Sequence, residues 1–277
     1  LADVDDGELR RLNDNGAPEG GVSWAPDGST ILFTAADDEE WMNRNTKLWL
    51  LDPESGEHRL ISGAFEGSPG NPTWTEDSQR ILFSGQQGTD TNVFALDVAS
   101  GAIEQVTDVE GTLSPGSFTK DRTRYAYTFT DYRTPGDVWL GHMDGSDPVR
   151  LTEANPQISE WLLADMQVID WESVGDFTIE GLLHLPPGYE EGDELPLMLN
   201  IHGGPAGVFS NSWRAMYHIY AGLGYASLSP TVRGSRCYSD ELREGNTVQK
   251  GDGIGFGDYQ DLLHGVDQLI DQGIADP

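Results

Sequence analysis

Residues 21–33, GVSWAPDGSTILF, decide the fold of the first half of the chain, because they recur further along it. Residues 72–83 read PTWTEDSQRILF, and residues 116–127, GSFTKDRTRYAY, form a weaker third copy. Each copy has an aromatic residue, then a polar turn, then three apolar or aromatic positions, a pattern that indicates two strands joined by a hairpin. The aromatic residues lie fifty and then forty-four residues apart, a spacing typical of four-stranded repeats.

A second pair of strands is predicted after each copy, in residues 48–62, 93–107 and 138–152. The first two of these segments contain an Asp-x-x-Ser-Gly turn, and the third a related Asp-Gly-Ser turn. Four strands per repeat predict the unit of a β-propeller. Residues 1–16 match the end of a further unit, and a propeller closes with about four to eight. We therefore interpret residues 1–153 as a partial β-propeller.

The repeat stops after Thr152, and residues 154–277 change to an α/β pattern. Residues 197–202, LMLNIH, form a continuous apolar run of the kind found in sheets that are covered on both faces. Apolar positions at helical spacing predict an amphipathic helix over 258–270. The remaining predictions are strands over 166–171, 177–185 and 225–230 and a helix over 212–223.

Three turns in this half carry the chemical signal. His202-Gly203-Gly204-Pro205 follows the apolar strand, and its glycines allow a tight turn that can bring a backbone N–H close to a substrate oxygen. Arg233-Gly234-Ser235 follows the next strand, and the helix over 258–270 is opened by GDYQD, residues 257–261.

Together with the upstream repeats, these turns resemble the prolyl oligopeptidase family of serine peptidases, in its acylaminoacyl-peptidase and dipeptidyl-aminopeptidase-like branch. The resemblance covers nearly the whole chain. It implies a β-propeller followed by an α/β-hydrolase domain, here partial, and hydrolysis of short peptides through an acyl-enzyme. It also implies that the propeller excludes folded proteins from the site. Two rival hypotheses remain: a propeller-based binding protein with a vestigial hydrolase part, and an esterase.

The resemblance carries over to few residues. It implies that the N–H of Gly204, in a turn shared with Gly203, is an oxyanion donor. His202 and Arg233 are candidate substrate-side or scaffold residues, since the family's catalytic base is a different histidine. Ser235 is expected to bond backbone within its turn.

The family's G-x-S-x-G elbow is absent from this sequence. We therefore expect an internal piece of a longer protein, with the catalytic Ser, Asp and His beyond Pro277 and no activity of its own. The family often reads R-G-S-x-G-Y-G, and Cys237 and Ser239 replace its last two glycines here.

Charge and composition exclude other functions. The chain has 47 acidic and 16 basic residues, three of them Lys, and a net charge of −31 that would repel nucleic acid and anionic membranes. Its acid-rich, Lys-poor composition resembles haloarchaeal proteins, which predicts a high-salt cytoplasm. The resemblance to the peptidase family implies short peptides as partners.

No cofactor or metal is expected. One cysteine excludes an internal disulfide, and the six His show no ligand spacing. The acidic run Asp37–Glu40 is interpreted as a solvated loop, and GDGIGFGD as a flexible one.

Overall fold

The computed structural model describes residues 1–14, 16–39, 41–121, 123–204 and 206–277. In these residues each repeat forms an antiparallel four-stranded unit whose neighbouring strands are consecutive in the chain. The first unit contains β1 (Gly20–Trp24), β2 (Ile31–Ala35), β3 (Lys47–Leu51) and β4 (His58–Leu60). The second contains β5 (Gly70–Trp74), β6 (Arg80–Gln87), β7 (Asp90–Asp97) and β8 (Ile103–Gln105). The third contains β9 (Thr112–Phe118), β10 (Arg124–Thr130), β11 (Asp137–His142) and β12 (Val149–Arg150).

The first hairpin of each unit depends on its turn residues. Gly28 has φ +75°, and Ser78, at the corresponding place in the second unit, has φ +60°. The Asp before each of them caps the turn, since Oδ1 of Asp27 accepts from the N–H of Ser29 at 2.9 Å and Oδ1 of Asp77 from the N–H of Gln79 at 3.0 Å. The third copy places Arg122 at this position, which lies outside the described residues, as do Glu40 of the acidic run and Pro205 of the glycine turn.

The repeated aromatic residue packs between neighbouring units. Trp74 is 5 % exposed and lies in one apolar cluster with Leu32 and Leu48 of the first unit and Phe83 of its own. Trp24 holds the same place in the first unit but is 47 % exposed, because no earlier unit among the described residues lies against it. The second and third units are joined into one eight-stranded sheet, because the start of β7 pairs in parallel with the start of β9 at Thr91 and Thr112. The three units of the described residues do not close into a ring.

The second half contains a third sheet with the strand order β13-β14-β16-β15. The pairs β13–β14 and β14–β16 are antiparallel, and the pair β15–β16 is parallel. Helices cover this sheet, as the change of pattern predicts. The elements are β13 (Asp165–Ser173), β14 (Phe177–Leu185), β15 (Leu197–Leu199), α1 (Ala215–Gly222), β16 (Ala226–Thr231), α2 (Asp240–Glu244) and α3 (Gly257–Asp271).

Helix α3 lies close against β13 because a glycine faces a tryptophan. A Cβ on Gly265 would lie 2.6 Å from the ring of Trp171, which is 3 % exposed. The same indole donates a hydrogen bond to the carbonyl of Asp261 at 2.8 Å. None of the helices in the described part of the chain combines the length and apolar character that crossing a membrane would require.

One edge of this sheet is continued by residues that follow α3. Leu195, just before β15, pairs in parallel with Ala275. The N–H of Leu195 donates to Ile274 O at 2.9 Å, and the N–H of Asp276 donates to Leu195 O at 2.9 Å. Beyond this bridge no described strand pairs with the outer edge of β15, so a strand in line with Ala275 would fit there.

Candidate functional site

The glycine turn lies at the carboxyl end of β15, the edge where open α/β sheets bind ligands. Gly203 and Gly204 are exposed, and Gly204 has φ +132°, a conformation open to glycine. Among the described residues nothing accepts a hydrogen bond from the N–H of either glycine. A Cβ on Gly203 would meet nothing within 4 Å, whereas one on Gly204 would lie 3.0 Å from the nitrogen of Gly207. The turn therefore has two exposed glycines whose N–H groups have no acceptor among the described residues.

His202 connects this turn to the Arg-Gly-Ser turn. Its Nε2 lies 3.0 Å from the hydroxyl of Ser235, and that hydroxyl donates to the carbonyl of Val232 at 2.5 Å. Because the serine has a single hydroxyl hydrogen, the hydrogen in the other contact comes from Nε2 of His202. Burial lowers the pKa of His202, in keeping with a neutral ring. Ser235 is fully buried, so the pair holds two turns together and offers no exposed nucleophile.

Gly207 allows the chain to fold back onto His202. A Cβ on Gly207 would lie 2.5 Å from Nδ1 of His202 and 2.6 Å from the carbonyl oxygen of Gly203. Its carbonyl accepts from the N–H of Arg236 at 3.3 Å, a second bond between the two turns. The sequence analysis did not single out Gly207, although its place three residues after Gly204 in HGGPAG was a local signal.

Arg233 lies beneath the turns in a buried ion pair. It is 3 % exposed, and its partner Asp261 is 0 % exposed. Its Nη2 lies 2.6 Å from Oδ1 of Asp261, while Nε and the backbone N–H each lie 2.9 Å from Oδ2. The guanidinium also stacks on Phe177 at 4.6 Å and donates to Val174 O at 2.7 Å. These contacts tie the turn that begins at Arg233 to α3 and to the loop after β13.

Asp261 is the residue that sequence reasoning missed in this pair. It is the last residue of GDYQD, and its carboxylate also accepts from the hydroxyl of Ser173 at 2.6 Å. An acid on the buried face of a helix, between apolar positions, was the available signal, because buried acids need a cation.

The loop after Ser235 has Cys237 and Ser239 where the R-G-S-x-G-Y-G pattern has glycines, and the first replacement costs conformational free energy. Cys237 is buried and has φ +69°, a left-handed conformation that a non-glycine residue adopts at about 1–2 kcal/mol. Ser239 begins α2, since its hydroxyl accepts from the N–H of Leu242 at 3.1 Å. Burial raises the pKa of the Cys237 thiol, so this residue is a packed side chain and not a thiolate.

The residues between the glycine turn and α1 attach the second half to the sheet units. Asn211 is 5 % exposed, and its side chain donates to Asp90 Oδ1 at 3.0 Å and accepts from the N–H of Tyr132 at 3.0 Å. Its backbone N–H donates to Thr89 O at 2.8 Å, and its carbonyl accepts from the hydroxyl of Thr112 at 2.9 Å. The segment between the glycine turn and α1 is therefore fixed to the second and third units.

No cluster of three or more His, Cys, Asp or Glu side chains in the described ranges has metal-binding geometry.

The chain is similar in sequence and in fold to proteins named as peptidases. No protein-family model matches the chain. Over 98 % of its length the chain is 24 % identical to the uncharacterized peptidase YuxL of Bacillus subtilis, of which the match covers 50 %. Over 72 % of its length it is 24 % identical to the acylamino-acid-releasing enzyme of Mus musculus, of which the match covers 28 %.

Solved structures of similar fold are also peptidases. The acylaminoacyl peptidase of Pyrococcus horikoshii aligns with a TM-score of 0.77 at 19 % identity, over 98 % of this chain and 41 % of that one. An acylaminoacyl peptidase in complex with Z-Gly-Gly-Phe-chloromethyl ketone aligns with a TM-score of 0.74 at 20 % identity, over 90 % of this chain and 38 % of that one. The chain spans half or less of the length of these proteins.

Proposed function

We propose that this chain belongs to a serine oligopeptidase, in which it supplies the oxyanion turn and part of a β-propeller, and that the whole enzyme hydrolyses short peptides through an acyl-enzyme. The observation that carries the proposal is the N–H of Gly204, which has no hydrogen-bond acceptor among the described residues and belongs to an exposed residue after the carboxyl end of β15. A donor of this kind stabilises the charge that develops on a carbonyl oxygen under attack. The peptidase relatives and the fold support the same class.

We place the nucleophile, acid and base of the triad outside residues 1–277. Ser235 is buried and donates its hydroxyl hydrogen to backbone, and the sequence has no G-x-S-x-G elbow. The bridge between Leu195 and Ala275 supports the placement, because a strand continuing in parallel beside β15 would end next to Gly203 and Gly204. The share of the relatives that the chain covers supports it as well.

The four-stranded units are proposed to be part of a propeller that restricts access to the site. The exposed face of Trp24, at the position where Trp74 packs on a preceding unit, is a place where a further unit would fit. A ring of such units over the turns would admit short peptides and exclude folded proteins.

The test uses the whole protein, including any chain that extends residues 1–277. A fluorophosphonate probe should label one serine outside these residues, and a peptide amide should be cleaved. Gly204→Ala should lower kcat about 10²–10³-fold, the loss of one oxyanion donor, because alanine cannot keep φ +132°. Gly203→Ala adds the same methyl group into open space and should lower kcat far less.

Three results would count against the proposal. Equal losses in the two variants would remove the oxyanion role. Turnover of simple esters without peptide amides would favour an esterase. No probe labelling at all would favour a binding protein.

A further inference from the structure

A cavity of about 720 Å³ lies between the first two sheet units and the two turns of the candidate site. The sheet units contribute polar uncharged side chains such as Asn71, Ser84 and Gln86. The second half contributes Arg236, Cys237 and Arg243. None of the described residues that line it is an Asp or Glu, although acidic residues outnumber basic ones by 47 to 16 in the chain. The cavity is therefore a positive site in a strongly negative protein.

Arg236 is the cation that this cavity leaves available. Its side chain is exposed, and no described residue forms a hydrogen bond or ion pair with its guanidinium. Its backbone is fixed, because its N–H bonds Gly207 O beside the glycine turn. By contrast, Arg44 and Lys47, in the first unit, are paired with carboxylates of α2.

Arg243 adds a second guanidinium to the lining of this cavity. Its Nη1 and Nη2 bond Asn45 Oδ1 at 3.1 Å and Met42 O at 3.3 Å, while its Nε is buried without a hydrogen-bond partner among the described residues. Both guanidinium groups act electrostatically on the Cys237 thiol, and Arg243 is attracted by Asp240 and, more weakly, repelled by Arg236. Two neighbouring cations that face one cavity are stabilised when an anion enters it.

We propose that Arg236, with Arg243 behind it, binds a carboxylate of the peptide substrate, so that the enzyme prefers short peptides that carry this group near the cleaved bond. That the ligand is a peptide rests on the proposed function. That the ligand is bound through a carboxylate rests on the charged side chains of the cavity. Guanidinium groups bind carboxylates through charge-assisted, often bidentate hydrogen bonds. The carboxylate is either the C-terminus of the peptide or an Asp or Glu side chain.

Because the net charge is −31, a preference for anionic over neutral peptides would indicate a local contact with a cation and not the overall charge of the protein. Long-range electrostatics would disfavour an anionic peptide, whereas contact with Arg236 would favour it. In 1 M KCl the Debye length falls to about 3 Å, so the long-range repulsion between the protein and the peptide is screened. A direct contact between Arg236 and the carboxylate is weakened less than this repulsion.

The test measures binding to the whole protein by calorimetry in 1 M KCl. Every ligand is a short peptide whose N-methylated bonds resist hydrolysis. The first pair of ligands ends in a carboxylate or in a carboxamide. The second pair consists of carboxamides that contain either Asp or Asn. One carboxylate peptide should bind about tenfold tighter than its neutral partner, and which one does so identifies the source. Arg236→Gln should abolish this ratio, and Arg236→Lys should restore part of it. Arg124→Gln, an exposed arginine on β10, is the matched control and should keep the ratio.

Equal binding of charged and neutral peptides by the unmodified protein would overturn the inference. So would a preference that survives Arg236→Gln, or one that Arg124→Gln removes equally. If the carboxylate preference depends on Arg236 but no peptide is ever hydrolysed, the carboxylate site stands and the proposed peptidase function fails.

Discussion

The buried pair of Arg233 and Asp261 allows a quantitative prediction. In Asp261→Asn one carboxylate oxygen becomes an NH₂ group that faces hydrogen-bond donors, and the guanidinium is left buried without a countercharge. Each hydrogen bond to a charged group contributes about 1.5–3 kcal/mol, and removing one partner of a buried pair costs about 3–5 kcal/mol. We expect the free energy of unfolding to fall by about 3–5 kcal/mol, which lowers Tm by about 10 °C for a chain of this size.

The assay is urea unfolding followed by circular dichroism, with Asp267→Asn as the control. Asp267 is exposed on the same helix, so its substitution makes the same charge change and should alter stability by less than about 0.5 kcal/mol. The double variant Arg233→Met, Asp261→Leu removes both charges and should be less destabilised than the two single changes added together. A loss below about 1 kcal/mol in Asp261→Asn, or strict additivity in the double variant, would refute the role given to this pair.

Two further predictions concern solution conditions. Since the net charge is −31, the free energy of unfolding should rise between 0.1 and 2 M KCl as repulsion is screened, and equal melting curves in the two salts would contradict adaptation to high salt. Burial lowers the pKa of His184 to about 3, so the unfolded chain binds its proton near pH 6.5 and the folded one does not. This histidine should therefore lower stability as pH falls from about 6.5 to 3, by about 1.4 kcal/mol per pH unit at most, and His184→Leu should flatten that part of the pH profile; an unchanged slope would argue against a neutral buried ring.

The four-stranded units could be predicted from the sequence because their signals are local. The turn that needs Gly28 is encoded within four residues, and Ser78 keeps the same left-handed conformation in the second copy. The longer strands and α3 were predicted to within a few residues for the same reason, since apolar periodicity is read along the chain. Helix α2, with five residues from Asp240 to Glu244, is too short to show a period.

The contacts that build the candidate site could not be predicted, because they join residues far apart in sequence. The sequence named His202 and Arg233, but their partners are 33 and 28 residues away. Their roles follow from burial: Ser235 and Asp261 are both 0 % exposed, and a buried polar group must find a partner from another element. The exposure of Arg236 is likewise a property of the folded loop and not of the motif.

The position of the glycine turn depends on the sheet units as well as on its own sheet. Asn211 uses both its backbone and its side chain on the second and third units, and it lies only seven residues after Gly204. Moving the units relative to the turn would leave these buried groups unpaired, at about 1–3 kcal/mol for each group. The sheet units therefore hold the segment between Gly204 and α1 in place, and their residues Ser84, Gln86 and Thr91 line the same cavity as Arg236.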